Sequence, residues 1–314
     1  MSQTRRAASI DIGSTSVHVL VGDLVDGVVE PVLDLSEILG LGARIAAAGM
    51  LGREARADLV RTLAGYVDES RRLGAESIAI VGTDPLRHAA DAGRACDEIE
   101  RATAVPVHVL DQDEEGALTL LGVTGGPIDR DLAIIDIGGG STEIIVARAD
   151  GSSFVVGLPL GASRLTATVV VDDPPSRAQV LALRREADRI VSTAPDLELG
   201  EVIAVGGTAY GVARVATGPG FGERVIDQAG ISLAVAMSGS ERADRLAELF
   251  GLNPRRARIM PAGAAIVASL AARYRIERIR ASEWGIREGL IRAILRDGAA
   301  WRDGLIRRTK ERPA

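Results

Sequence analysis

Residues 9–20 of the chain read SIDIGSTSVHVL, and residues 134–145 read IIDIGGGSTEII. In both stretches an apolar run ends on Asp-Ile-Gly, small hydroxyl residues follow, and a second apolar run begins. Glycine lets the backbone turn tightly and expose its N–H groups, and serine and threonine add hydroxyl donors. One such stretch usually forms only a hairpin turn. Two of them, 125 residues apart, predict a duplicated unit with two anion-binding loops.

The elements around the two stretches also repeat. Short strands are predicted at AASIDIG, SVHVLVGDL and VVEPVLDL, after which helices and strands alternate, and the same order restarts at LAIIDIG. This order predicts an α/β fold of two subdomains with mixed sheets flanked by helices, arranged around an interdomain cleft. We place the subdomains at residues 1–125 and 126–286, because turn-forming TGGPIDR (124–130) separates the two patterns. A C-terminal helix at about 287–314 is expected to pack back on the first subdomain.

Composition excludes several classes of protein. The net charge of −6 over 314 residues argues against a general nucleic-acid binder. Lys310 is the one lysine among 37 basic residues, so a P-loop with its internal lysine is excluded. The longest apolar stretch, residues 261–274, is too short to span a membrane, and the N-terminus lacks the apolar region of a signal peptide. A single cysteine, Cys96, excludes an intramolecular disulfide, and we predict a cytoplasmic protein.

Two further segments resemble parts of a known superfamily. AVGGTAY (204–210) is a predicted strand that ends in glycines and opens a helix, which suits an anion at the helix N-terminus. MPAGAAI (260–266) is a helix of small residues that can pack closely. With the two glycine loops and the helix predicted at 114–123, these segments resemble the actin, sugar-kinase and acetate-kinase superfamily. That resemblance implies two actin-like (ribonuclease H-like) subdomains and two loops that clamp one phosphate chain from opposite sides of the cleft.

Five shorter motifs indicate a branch of this superfamily: VGTDPLRHA (81–89), DQDEEGALTLLGV (111–123), DIGGGSTE (136–143), GLPLGASRLT (157–166) and WGIREGL (284–290). Together they resemble the exopolyphosphatase and guanosine pentaphosphate phosphohydrolase (Ppx/GppA) family, in its short two-domain form. That resemblance implies hydrolysis of phosphoanhydrides with Mg²⁺ as the cofactor. It implies inorganic polyphosphate or guanosine pentaphosphate as the substrate, with a homodimer as the candidate assembly.

The resemblance also assigns roles to residues. Glu115 matches the catalytic glutamate, whose task is to orient and deprotonate the water that attacks the terminal phosphorus. Three carboxylates match positions near the metal, where oxygen ligands suit Mg²⁺: Asp11, Asp136 and Glu143. The matching phosphate-binding residues are Gly13, Ser14, Arg87, Gly138, Gly139, Gly140, Ser141, Thr142, Arg164 and Thr208. Arginine suits this role because its planar fork of N–H groups fits phosphate oxygens.

Some residues have simpler interpretations, and three segments depart from the family pattern, at Thr15, at Asp84-Pro85 and at residues 111–113. Glu114 and Glu115 could be carboxylates that a helix N-terminus favours. We expect two groups of arginines to lie on solvated faces: the basic cluster at residues 255–258 and the arginines near the C-terminus, which include Arg302. Asp84-Pro85 stands where the family usually has Ser or Thr followed by Ala, which adds a negative charge near a phosphate site.

Several functions therefore stay open. The leading interpretation is an exopolyphosphatase that removes terminal orthophosphate from inorganic polyphosphate. The alternative within the same family removes the 5′ γ-phosphate of guanosine pentaphosphate. A kinase of the same fold would need a catalytic aspartate, for which the sequence offers no candidate. A phosphonucleotide sensor or scaffold without turnover is a further alternative, supported by the altered Asp84-Pro85 segment.

Overall fold

The computed structural model describes residues 5–220 and 224–309, with the side chains of 306–309 left out. The chain forms two compact units. The first runs up to Ile128 and also contains Asp150–Phe154 and the chain from Trp284 onward, whereas the second contains Asp129–Ala149 and Val155–Glu283. Within the described ranges, no helix is both long and apolar enough to cross a bilayer.

The elements alternate along the chain much as the sequence predicts. The strands are β1 Arg5–Ile12, β2 Ser16–Val25, β3 Val28–Ile38, β4 Ser77–Gly82, β5 Val107–Val109, β6 Leu132–Ile137, β7 Thr142–Ala147, β8 Ser153–Leu158, β9 Glu201–Val205, β10 Arg224–Asp227 and β11 Arg278–Ala281. The helices are α1 Leu41–Ala48, α2 Gly52–Arg72, α3 Asp84–His88, α4 Ala92–Thr103, α5 Gln112–Thr124, α6 Ala162–Val169, α7 Arg177–Val191, α8 Gly206–Thr217, α9 Gln228–Ser240, α10 Ala243–Phe250, α11 Pro254–Ala257, α12 Met260–Tyr274, α13 Ile286–Asp297 and α14 Trp301–Thr309.

The sheet of the first unit has the strand order β3-β2-β1-β4-β5. The first three strands are antiparallel neighbours joined by short turns, whereas β4 and β5 add in parallel on the other side of β1. Asp26 and Gly27 adopt positive φ angles of 49° and 80° between β2 and β3, which is the hairpin turn that the Asp-Gly pair predicts.

The sheet of the second unit repeats this order and adds one edge strand. Written in the same direction, its strand order is β8-β7-β6-β9-β11-β10. Strand β6 pairs antiparallel with β7 and parallel with β9, as β1 does with β2 and β4. The register repeats as well: Asp11 lies opposite His18 across β1 and β2, and Asp136 lies opposite Glu143 across β6 and β7. The prediction of two actin-like units with mixed sheets and flanking helices is therefore confirmed.

Helices cover both faces of the first sheet. One apolar cluster joins alternate residues of β1, such as Ile10 and Ile12, to α2 and α4. The other joins Ala7 and Leu20 to α5, α13 and α14. Helices α5 and α13 approach unusually closely, because a Cβ at Gly122 would overlap the carbonyl oxygen of Gly285. The same holds where Gly289 meets Leu118, so backbone packs against backbone at this crossing.

Three helices lie outside the sequence-based elements, namely α1, α3 and α9. Within the described residues, the C-terminal helix expected at about 287–314 divides into α13 and α14. The α9 segment, QAGISLAVAMSGS, is too evenly apolar to show helical periodicity. The α14 segment, WRDGLIRRT, is strongly charged, and its buried residues Trp301 and Leu305 show only one turn of the pattern. This weak apolar pattern is why the sequence predicts a solvated face for the arginines of this segment.

Candidate phosphate site

The two adjacent glutamates, Glu114 and Glu115, lie in the first turn of α5. Asp111 caps this helix by accepting a hydrogen bond from the Glu114 N–H at 2.8 Å. The Glu114 carboxylate in turn accepts the Asp111 N–H at 2.9 Å, which completes a reciprocal capping box. The capping residue Asp111 thus fixes the first turn of α5, and this turn determines the position of Glu115.

Glu115 and Arg87 form an ion pair. The Arg87 Nη1 donates to Glu115 Oε2 at 2.6 Å and to the Leu110 carbonyl at 3.0 Å. Both side chains are largely buried, with exposed fractions of 15% for Arg87 and 11% for Glu115. Arg87 reaches this place from α3, directly after β4. The structure therefore brings together the predicted catalytic glutamate and the predicted phosphate-binding arginine.

Glu114 has a different partner, which the sequence did not reveal. Arg302 of α14 donates through Nε to Glu114 Oε1 at 2.5 Å and through Nη2 to Oε2 at 2.8 Å. Burial would raise the pKa of Glu114, but hydrogen bonds from Arg302 and the Asp111 N–H outweigh burial and lower it. The expectation that Arg302 lies on a solvated face is wrong, because its guanidinium binds a buried carboxylate.

The first glycine loop forms a tight turn that contacts Asp84. The Gly13 N–H donates to the Ser16 carbonyl at 3.1 Å. The Ser14 hydroxyl donates to Asp84 Oδ2 at 2.9 Å, and His88 Nδ1 lies 3.1 Å from Asp84 Oδ1. Asp84 is buried, so its carboxylate adds negative charge beside this loop, as the sequence predicts.

The second glycine loop repeats the same turn. The Gly138 N–H donates to the Ser141 carbonyl at 3.0 Å, and the Gly140 carbonyl accepts from Arg164 Nε at 2.8 Å. Arg164 thus lies against this loop at the start of α6. Thr142 is fully buried, and its hydroxyl donates to the Leu160 carbonyl. The Thr142 hydroxyl has a structural partner, so its role as a phosphate donor stays a prediction.

The third glycine segment starts α8. Gly206 has a φ of 87°, and a Cβ at this position would meet a carboxylate oxygen of Asp136. Thr208 is buried in the first turn of the helix. A Cβ at Gly207 would overlap the guanidinium of Arg256, so this arginine packs directly on the glycine segment. The expectation that the whole cluster at residues 255–258 is solvated is therefore wrong for Arg256.

The predicted metal ligands lie at strand ends. Asp11 lies at the end of β1, next to the first glycine loop. Asp136 and Glu143 lie directly opposite each other on β6 and β7. Residues opposite each other on antiparallel strands have Cβ atoms roughly 5 Å apart, so these two carboxylates are close neighbours. In the described part of the chain, no three His, Cys, Asp or Glu side chains are grouped to hold a metal ion. The Asp136 and Glu143 pair still suits Mg²⁺, which usually takes one or two carboxylates and fills its shell with water and phosphate oxygens.

A cavity of about 270 Å³ lies beside the second glycine loop. Helices α6 and α7 form its walls, with Leu160, Leu165 and Ile190 among the apolar residues and Arg164 and Arg189 among the charged ones. Because Arg164 also contacts Gly140, the cavity and the glycine loop share one arginine. A cavity with apolar walls and a few charged groups, among them the paired Arg189 and Glu186, is a candidate site for a small ligand.

Comparison with known proteins places the chain in a family. Residues 20–297 match the Ppx/GppA phosphatase family. Exopolyphosphatase 1 of Mycobacterium leprae is 30% identical over 91% of this chain and 88% of its own length. A guanosine-5′-triphosphate,3′-diphosphate pyrophosphatase of Vibrio cholerae is 27% identical over 92% of this chain but only 59% of its own length. The crystal structure of an exopolyphosphatase from Cytophaga hutchinsonii shares the fold, with a TM-score of 0.82, 19% identity, and coverage of 96% of this chain and 98% of that one.

The two-unit α/β fold and the matched residues define a member of a phosphatase family. The chain belongs to the Ppx/GppA phosphatase family.

Proposed function

We propose that this protein is a Mg²⁺-dependent exopolyphosphatase that releases terminal orthophosphate from inorganic polyphosphate. The observation that carries this proposal is the buried ion pair between Glu115 and Arg87 at the start of α5. It supplies a basic oxygen for water and a cation for phosphate in a member of a phosphatase family. Relatives named exopolyphosphatase support polyphosphate as the substrate.

In this mechanism Glu115 accepts a proton from a water molecule as the water oxygen attacks the terminal phosphorus. The phosphoanhydride bond breaks, and its bridging oxygen stays with the shortened chain while orthophosphate leaves. Arg87 binds the phosphate through its planar fork, so substrate competes with Glu115 for the same guanidinium. The pair therefore connects phosphate binding to the release of a carboxylate that can take a proton.

The glycine loops supply the remaining phosphate donors in this proposal. The N–H groups of Gly13 and Gly138 close the two turns, and the Ser14 hydroxyl donates to Asp84. The backbone N–H groups of residues 14 and 139–141 and the Ser141 hydroxyl are the donors suited to phosphate oxygens. Asp136 and Glu143, which face each other on β6 and β7, would hold Mg²⁺, which when bound neutralises charge on the phosphates. The assignment of Asp11 to the metal stays a prediction. That both loops clamp one phosphate chain stays a prediction, as do the homodimer and the cytoplasmic location.

A specific observation favours the nucleotide alternative. The cavity beside Arg164 would accept a nucleoside whose phosphates lie on the second glycine loop. The relative from Vibrio cholerae carries the name of an enzyme that acts on a guanosine polyphosphate. Guanosine pentaphosphate 5′-phosphohydrolase is therefore the second candidate function.

Phosphate release distinguishes these candidates. The purified protein is incubated with short-chain polyphosphate, long-chain polyphosphate and guanosine pentaphosphate, each with Mg²⁺ or with a chelator. Faster Mg²⁺-dependent release from polyphosphate supports the proposal, and faster release from the nucleotide supports the alternative. Binding of the nucleotide by calorimetry with no release from any substrate would contradict both and support a sensor. Leu165→Trp, which fills the cavity, should slow only the nucleotide reaction.

A further inference from the structure

Two arginines hold the junction between β5 and α5 in the same way. Arg87 donates to the Leu110 carbonyl and to Glu115. Arg302 donates to the preceding carbonyl, that of Val109, at 3.0 Å and to the preceding carboxylate, that of Glu114. Two successive carbonyls and two successive glutamates are thus divided between two arginines, one from α3 and one from α14.

The contact between Arg302 and Glu114 is a fork-to-fork ion pair. Nε and Nη2 each donate to one oxygen of the carboxylate, whose side chain is only 6% exposed. Glu114 Oε2 also accepts the Asp111 N–H, so the same oxygen closes the cap of α5. Such bidentate pairs fix direction as well as distance. Arg302 therefore holds Glu114 away from the neighbouring arginine and neutralises its charge.

His108 and Asp111 are the titratable neighbours of this pair among the described residues. His108 of β5 makes an edge-to-face contact with Trp301, with ring centroids 5.3 Å apart. Burial, and then the nearby Arg302 charge, lowers the pKa of His108. Asp111 is the other carboxylate whose charge acts on Arg302. Loss of Arg302 would consequently leave Glu114 a buried carboxylate that keeps the bond from the Asp111 N–H but loses both bonds from the guanidinium.

We propose that Arg302 is a positioning residue for Glu115: by binding Glu114, it leaves Arg87 to Glu115 and keeps a bare negative charge away from the general base. The inference rests on the proposed function of Glu115. It gives α14 a role in the reaction, although no atom of that helix is assigned to the substrate.

Four variants test this role. Arg302→Met removes the pair, Arg302→Lys keeps the charge without the fork, and Arg302→Met with Glu114→Gln removes both charges. Arg296→Met is the matched control, because it removes an arginine from α13 that pairs with its neighbour Asp297. For each, we measure kcat, KM, the pH dependence of kcat, the melting temperature, and amide hydrogen exchange of residues 110–116.

Arg302→Met should lower kcat roughly 10-fold with KM within about 2-fold of wild type, since a misplaced catalytic group costs rate rather than affinity. The unneutralised charge of Glu114 should move the acid limb of the pH profile to higher pH and speed exchange of residues 110–116. The double variant should return the acid limb to its original place, Arg302→Lys should lie between, and Arg296→Met should behave as wild type.

The inference would be overturned if Arg302→Met and Arg296→Met had the same kcat, the same acid limb of the pH profile and the same hydrogen exchange of residues 110–116. Equal loss of kcat in the single and double variants, with an unmoved acid limb, would also overturn it, because packing of α14 alone would explain the loss. If Arg302→Met does not fold, Arg302→Lys takes its place in the same comparison. If the wild type releases no phosphate, the proposed function fails, and hydrogen exchange alone decides the positioning role.

Discussion

Replacing Glu115 with glutamine tests the proposed chemistry most directly. The amide keeps the size of the side chain and an oxygen that can accept from Arg87, but it cannot take a proton from water. Turnover should therefore fall by roughly 10²–10⁴, the contribution of a general base, which corresponds to about 3–5 kcal/mol of barrier. Substrate binding should persist or tighten, because Arg87 is freed from a competing carboxylate at 2.6 Å.

Loss of stability would not imitate this effect. The bond from Arg87 to Glu115 joins two largely buried charged groups, and charge-assisted bonds contribute about 1.5–3 kcal/mol where neutral ones contribute about 1. The variant should thus lose about 1–2 kcal/mol of unfolding free energy. A domain with a stability of about 5–15 kcal/mol stays almost fully folded after such a loss. The expected drop in kcat is larger than any drop in the folded fraction.

The assay measures kcat by phosphate release, substrate affinity by calorimetry, and stability by urea unfolding. Glu114→Gln is the comparison variant, because it changes the adjacent carboxylate that binds Arg302 instead of Arg87. It should lose stability but keep most of its turnover. Equal and mild effects of the two substitutions on kcat would refute the catalytic assignment and leave both glutamates as helix-capping charges.

Three further predictions concern packing, pH and metal. Gly122→Ala should lower the unfolding free energy by about 1–3 kcal/mol, because the new Cβ would overlap the Gly285 carbonyl. Gly65→Ala, which adds a methyl group in open space on α2, should raise the unfolding free energy by about 0.5–1 kcal/mol. Urea unfolding measures both changes. The lowered pKa of Glu114 predicts stability that is present above its ordinary value of 4.5 and is lost as pH falls through the folded pKa, so unfolding curves of wild type and Glu114→Gln should converge in acid. Chelation should stop phosphate release, and Asp136→Asn should raise the Mg²⁺ concentration for half-maximal rate several-fold; a rate indifferent to both would contradict the metal assignment.

Local patterns in the sequence were enough for the duplicated fold. Asp11 and Asp136 end strands in the same register of the two sheets, and the turns at Gly13 and Gly138 have the same hydrogen bond. Both facts follow from short stretches whose glycines and alternating apolar residues determine turn and strand directly. The motifs on the sequence also singled out Glu115 and Arg87, although not the ion pair between them.

Contacts between distant residues could not be found in this way. Arg302 and Glu114 are 188 positions apart, and a single arginine in a charged segment has no pattern that names its partner. Arg256 was likewise placed on a solvated face because its neighbours are basic, yet it packs on Gly207. Which of several surface arginines turns inward depends on helix packing, which sequence periodicity does not specify.

The first unit is built from both ends of the chain, and this has a consequence for its synthesis on the ribosome. Its second apolar cluster joins Ala7 and Leu20 to Leu290, Trp301 and Leu305. The sheet that forms from the earliest residues consequently has one face covered only in part, by α5, until α13 and α14 have emerged. The second unit, complete by Glu283, can bury its own interior sooner. The part of the protein translated first is therefore the last to finish folding, and chains that stop before residue 290 expose an apolar sheet face that invites aggregation.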